Sequence, residues 1–159
     1  MKIGIMGGTF NPIHNAHLLI AEMAREEYGL DRVIFITDGN PPHKSANVTA
    51  KQRFEMTHIA IADNSAFEED DFEINRSEKS YTVNTLGYLK EKYPNDDLFF
   101  IIGEDSLNDF DKWYKPDKIL EMCSLLVFPR KSLKSLTETI KAVKEKMNGR
   151  IFPISAPVF

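Results

Sequence analysis

Six short apolar runs rich in Ile, Val and Phe, at residues 3–6, 33–37, 72–74, 98–102, 125–128 and 151–154, divide this chain, with helix-length segments between them. Runs without polar alternation suit strands covered on both faces, and strand–helix alternation leads to an α/β fold: a doubly wound, mainly parallel sheet with helices on both faces. The length of 159 residues suffices for one core and one domain. The spacing predicts a first helix from about residue 13 to 28, stopped by Gly29, and a second opened by a capping box at Thr49 and Gln52. A third helix runs over residues 82–93 and halts before Pro94, while Ser135 and Glu138 form a box ahead of Ile140, Val143 and Met147. The acidic run at residues 68–71 reads as a solvated turn. In such a sheet ligands bind beyond the carboxyl ends of the strands, so the segments after Met6, Thr37, Ile74 and Ile102 converge on one crevice.

Between the first strand and the first helix stands Gly7-Gly8-Thr9-Phe10-Asn11-Pro12-Ile13-His14-Asn15-Ala16-His17. Two glycines let the backbone turn tightly and approach a ligand, and Pro12 suits a first helical turn because it has no N–H to leave unpaired. His14 and His17, three apart, fall on one face of a helix at its entrance, where free N–H groups and the positive end of the dipole favour an anion. The junction is therefore a phosphate site. It has neither the GxGxxG fingerprint nor the Walker A lysine, so neither a dinucleotide oxidoreductase nor a P-loop NTPase follows. Zinc is an alternative for the histidine pair, but no Glu stands between them and the sole cysteine, Cys123, is remote. A purely structural role for both rings is the other alternative.

A net charge of −4 with mixed signs argues against a nucleic-acid footprint and leaves room for a local basic pocket that binds a small ligand. No apolar run is long enough to span a bilayer, one cysteine cannot close an internal disulfide, and the chain opens on a strand rather than a signal peptide. A cytoplasmic protein without membrane contact is the expectation, and a homo-oligomer is left open. His58 reads as a surface or packing residue and Cys123 as a plain buried thiol.

The glycine–histidine segment resembles the GGTFDPIHxGH signature of nucleotidyltransferases that join a nucleotide to a phosphorylated acceptor. Asn40-Pro41-Pro42-His43-Lys44, Ser80-Tyr81-Thr82-Val83-Asn84-Thr85-Leu86, Ile101-Ile102-Gly103-Glu104-Asp105 and Trp113 follow in the order seen in the bacterial nicotinate mononucleotide adenylyltransferase family. The resemblance covers essentially the whole chain. It implies the Rossmann-like nucleotidyltransferase fold and the transfer of adenylyl from ATP to nicotinate mononucleotide, with Mg²⁺ carried by ATP and water rather than by a protein cage. Two alternatives stay open: a sister enzyme such as phosphopantetheine adenylyltransferase or glycerol-phosphate cytidylyltransferase, and a nucleotide-sensing module without turnover.

For attack by an ionised phosphate on the α-phosphorus of ATP no general base is required, and donors and cations are what the site needs. His14 and His17 supply imidazole donors, the turn through Gly7, Gly8, Thr9 and Phe10 supplies backbone N–H groups, and Lys44 brings a point charge. Their charge at neutral pH is undecided, because a phosphate raises and the helix dipole lowers their proton affinity. Asp105 is read as a ribose-binding carboxylate beside Gly103, with helix capping as its alternative role, and Arg130 as a phosphate contact or a plain surface charge. On the acceptor side the resemblance implies that Trp113 stacks on the pyridinium ring, as an indole face suits a flat cation. It assigns the nicotinate carboxylate to backbone N–H groups around Tyr81 and Thr82, with Thr85 nearby, and places Asn40, Lys44 and Tyr114 among the acceptor contacts. The chain departs from the family at Asn11 (commonly Asp), Ala16 (Gly), Asn84 (Asp) and Glu104 (Ala); Ala16 bears most on ATP affinity. The family's Ser-Ser-Thr-x-Ile-Arg segment, expected after residues 151–154, is not in this sequence, and the expectation is that the biological protein continues past Phe159.

Overall fold

The computed structural model describes residues 1–8, 10, 13–39, 49–76 and 80–157. Five of the six apolar runs become strands: β1 (Lys2–Gly8), β2 (Arg32–Thr37), β4 (Asp97–Gly103), β5 (Ser124–Phe128) and β6 (Ile151–Pro153). With β3 (Phe67–Asp70) they form one sheet in the order β3-β2-β1-β4-β5-β6, in which every neighbouring pair is parallel. The chain winds outward from β1 to β3, then crosses back to build the other half from β4. That reversal places the switch point between β1 and β4.

Side chains alternate between the two faces of each strand and so divide the core in two. On one face Ile3, Ile5, Ile34, Ile36, Phe100, Leu125 and Val127 pack against Leu86 and Leu89 of α3 (Thr82–Lys92), Ile119 of α5 (Pro116–Met122) and Leu136 and Ile140 of α6 (Leu133–Lys146). On the other, Met6, Val33, Phe35, Ile101 and Leu126 meet Ile20, Ala21 and Ala24 of α1 (Asn15–Tyr28) and Ile61 of α2 (Ala50–Ile61). The doubly wound parallel sheet expected from the apolar runs is the sheet observed.

Several local expectations are corrected. The acidic run is not a solvated turn: its first three residues belong to β3, and each of those three carboxylates has a partner, Arg32 for Glu68 at 3.1 Å, His58 for Glu69 at 2.9 Å and Lys92 for Asp70 at 3.1 Å, while Asp71 follows the strand, exposed. Residues 72–74 are correspondingly a turn rather than a strand. Phe72 finds its burial by stacking on Tyr88, ring centroids 4.2 Å apart, under the Arg76 guanidinium. α1 begins at Asn15 rather than near residue 13, and α6 is capped by Ser132, whose hydroxyl accepts from the Ser135 N–H, rather than by Ser135. The Thr49–Gln52 box closes as expected, each side chain accepting from the other's backbone N–H. Between β4 and β5 lie α4 (Glu104–Asn108), a 3₁₀ turn (Phe110–Lys112) and α5, which the apolar pattern did not announce.

Candidate active site

Beyond the carboxyl ends of β1 and β4 the structure has two adjoining cavities. The first, about 310 Å³, reaches from Gly7, Gly8 and Gly103 at the strand ends to Thr82, Thr85 and Trp113. The second, about 440 Å³, lies between His14 and Ala16 on one side and Asp105 and Arg130 on the other. His17, Gly103, Ser106 and Phe128 line both, so two ligands seated here would meet at His17.

The histidine pair differs from the helical face anticipated. His14 is the N-cap, in extended conformation, and His17 is the third helical residue; their rings stack at 5.5 Å rather than project from one helical face. The His14 backbone N–H donates to His17 Nδ1 at 3.0 Å. A nitrogen that accepts cannot carry a proton, so the hydrogen resides on Nε2. Burial, and then the neighbouring His14, hold the His17 pKa below its ordinary value. His17 is therefore a neutral ring with one fixed donor. Phe10 packs edge-on against it at 5.4 Å, and does so from a left-handed backbone, φ 50°, which a non-glycine residue adopts only at a cost of about 1 kcal/mol or more.

On the far side of the first cavity α3 opens on Tyr81, whose side chain makes no capping bond; the Asn84 and Thr85 N–H groups donate to the Tyr81 carbonyl, and those of Thr82 and Val83, at the helix start, have no carbonyl within the helix to reach. Thr82 and Thr85 line the cavity; Tyr81 instead leans on Tyr114, ring centroids 4.7 Å apart. Trp113 is half-buried against Phe100 and Phe110 and also lines the cavity. Asp105 is not a helix cap: Gly103 takes that place, and Asp105 pairs with Arg130 at 3.0 Å on the exposed rim of the second cavity. Glu104 is buried and accepts from the Arg130 N–H at 3.1 Å and the Thr139 hydroxyl at 2.9 Å, which fastens the segment after β5 to α6. Thr9, Asn40 and Lys44 lie outside the described residues, as do Asn11 and Pro12.

Glu73 and Asp38, which no motif in the sequence singles out, join Ser80 in the wall of the first cavity. Glu73 carried a signal, a lone acid inside an apolar triplet, that a strand assignment hid. Among the described residues no group of three His, Cys, Asp or Glu side chains is arranged to hold a metal. None of the helices described there is long and apolar enough to cross a membrane. His58 is a surface residue paired with Glu69, and the Cys123 thiol is buried and pushed up to about 12 by that burial.

Parallel strands reversing at β1/β4, a histidine-bearing helix entrance and a split crevice define a nucleotidyltransferase, and the family comparison agrees: the chain belongs to the cytidylyltransferase-like family, whose model matches residues 5–156. Among curated proteins it is 48% identical over 144 residues to a "Probable nicotinate-nucleotide adenylyltransferase" of Citrifermentans bemidjiense, a match covering 88% of this chain and 67% of that protein. A relative of the same name from Pelobacter propionicus is 45% identical over 153 residues, covering 95% and 70%. At that identity and coverage the chain groups with the nicotinate-nucleotide adenylyltransferases. The fold also matches that of Plasmodium falciparum nicotinic acid mononucleotide adenylyltransferase complexed with NaAD, at a TM-score of 0.80 and 22% identity over 99% of this chain and 76% of that one.

Proposed function

We propose that this protein transfers the adenylyl group of ATP to nicotinate mononucleotide, yielding nicotinate adenine dinucleotide and pyrophosphate. The observation that carries the reading is the pair of cavities sharing His17, one suited to a flat cationic ring with an anionic substituent and the other to a polyphosphate at a helix entrance. An acceptor phosphate oxygen forms the new bond to the α-phosphorus, the bond to the bridging oxygen breaks, and pyrophosphate takes the electron pair. Because the nucleophile is already ionised, the protein aligns the reactants and meets the charge that grows on the leaving group.

His17 Nε2–H and the His14 ring donate to the ATP phosphates, helped by backbone N–H groups of Gly7, Gly8, Thr9 and Phe10 and by the Lys44 ammonium. Gly103 and Asp105 receive the adenosine ribose and Arg130 a phosphate, for which the Asp105–Arg130 pair must open; being exposed, it resists little. Trp113 stacks on the pyridinium ring, the α3 N–H groups at Tyr81 and Thr82 take the nicotinate carboxylate with Thr85, and Asn40 and Tyr114 border the acceptor. When bound with ATP, Mg²⁺ would supply further charge neutralisation at the phosphates. The protein works in the cytoplasm on these small nucleotides, not on nucleic acid, and self-association is compatible with it.

Pyrophosphate release measured with ATP and a panel of acceptors tests the reading. Turnover with nicotinate mononucleotide is the expected result. Turnover only with phosphopantetheine, or tight ATP binding without product from any acceptor, overturns it.

A further inference from the structure

Glu73 occupies the wall of the acceptor cavity without a part in the chemistry just described. Its Oε2 lies 2.6 Å from Thr85 Oγ1, in α3. Its backbone packs closely as well: a Cβ on Gly39 would lie 2.2 Å from the Glu73 carbonyl oxygen, so the turn lies tight against the segment leaving β2. Nearby, Ser80 lines the same cavity with its buried hydroxyl beside the Glu73 carboxyl.

A carboxyl and a hydroxyl this close share either one proton or two. With Glu73 ionised, the Thr85 hydroxyl must donate to it and has no hydrogen left for a ligand. With Glu73 protonated, the carboxylic acid donates to Thr85 Oγ1, and the threonine hydrogen is free to turn into the cavity. We propose that Glu73 is a positioning residue which, through Thr85, sets the preference of the acceptor cavity for a ring bearing a carboxylate over one bearing an amide: its proton makes Thr85 a donor to the anion, and its loss withdraws that donor and sets a like charge beside the ligand. The inference rests on the acceptor reading above and deepens it.

The balance between the two states lies in the working range. Burial pushes Glu73 up to about 7, the Thr85 hydrogen bond opposes this, Asp38 just past the end of β2 adds to it, and the Ser80 hydroxyl and Arg76 on its own turn oppose it. From α1, His17 lines the same cavity as a neutral ring; from α2, the Arg53 guanidinium donates to the Asp38 carbonyl.

The test is the ratio of KM for nicotinate mononucleotide to KM for its amide counterpart, from pH 6 to 8.5, in the wild type and in Glu73→Gln. The ratio cancels the titration of the acceptor phosphate, which both acceptors share. In the wild type it rises about tenfold between pH 6 and 8, as required when the anion binds only the protonated form of a group titrating near 7. In E73Q it is flat, because the amide can donate to Thr85 at every pH. A flat ratio in the wild type overturns the inference, as does a rise of equal size in E73Q, or a fall in kcat common to both acceptors with the ratio's pH profile unchanged. Should E73Q fail to fold by circular dichroism, Thr85→Ser keeps the wild-type profile and Thr85→Val reduces it to what the Glu73 charge alone imposes; equal profiles in those two overturn the inference. Absence of product from nicotinate mononucleotide at every pH strikes the functional reading instead, so the two failures are distinct.

Discussion

His17 owes its orientation to a backbone donor rather than to another side chain, which separates the two histidines experimentally. His14→Ala removes a ring but keeps the N–H that holds His17 Nδ1. His17→Ala removes the fixed donor itself. In single-turnover measurements H17A is expected to slow adenylyl transfer by about a hundred- to a thousandfold, the usual loss for one donor to developing charge, and H14A by less. Glu73 supplies a second prediction at this scale. Its carboxyl, raised from 4.5 to about 7 chiefly by burial, keeps in the folded state a proton that the unfolded chain has released over that interval. The stability it contributes is complete below the unfolded value and is lost as pH rises through the folded one, amounting to roughly 3 kcal/mol at most. Thermal unfolding from pH 4.5 to 8.5 should show the wild type losing ground that E73Q keeps. How much of the site the sequence disclosed follows from the kind of signal each residue gave. The histidine pair, Ser80, Thr82, Thr85 and Trp113 stand in recognisable strings, whereas Glu73 and Asp38 matter through a cavity wall that forms only when a turn, a strand end and a helix meet.

At the scale of elements, Gly29 ends α1 in the left-handed region, φ 63°, with its N–H returned to the Arg25 carbonyl. Gly29→Ala is expected to cost about 1 kcal/mol in a urea titration, from backbone strain alone, since a Cβ there meets nothing within 4 Å. That residue touches neither cavity, so turnover should be unaffected. The helices and strands legible in the sequence are those whose local chemistry agrees with their burial: β1, β2, β4 and β5 are unbroken apolar runs, and α2 carries its capping box. β3 was hidden because a strand of Phe67, Glu68, Glu69 and Asp70 contradicts strand propensity, and only cations from β2, α2 and α3 make it tenable. The short helices between β4 and β5 were hidden for another reason: segments of three to seven residues are too brief to show a helical period.

For the molecule as a whole, the reversal at β1/β4 gathers residues from distant parts of the chain, so a bound ligand ties both halves of the sheet together. Ligand at a hundred times its dissociation constant contributes about 2.7 kcal/mol, which for a domain of this size raises Tm by roughly 5–10 °C. ATP and nicotinate mononucleotide should each produce such a shift in differential scanning calorimetry, and ATP should lose its shift in H17A. Among the described residues the sheet ends at β3 and β6, and the β3 flank is lined with acids that each have a partner within the molecule. A strand from a second molecule trying to extend the sheet there would have to strip water from those groups, which discourages fibrous growth.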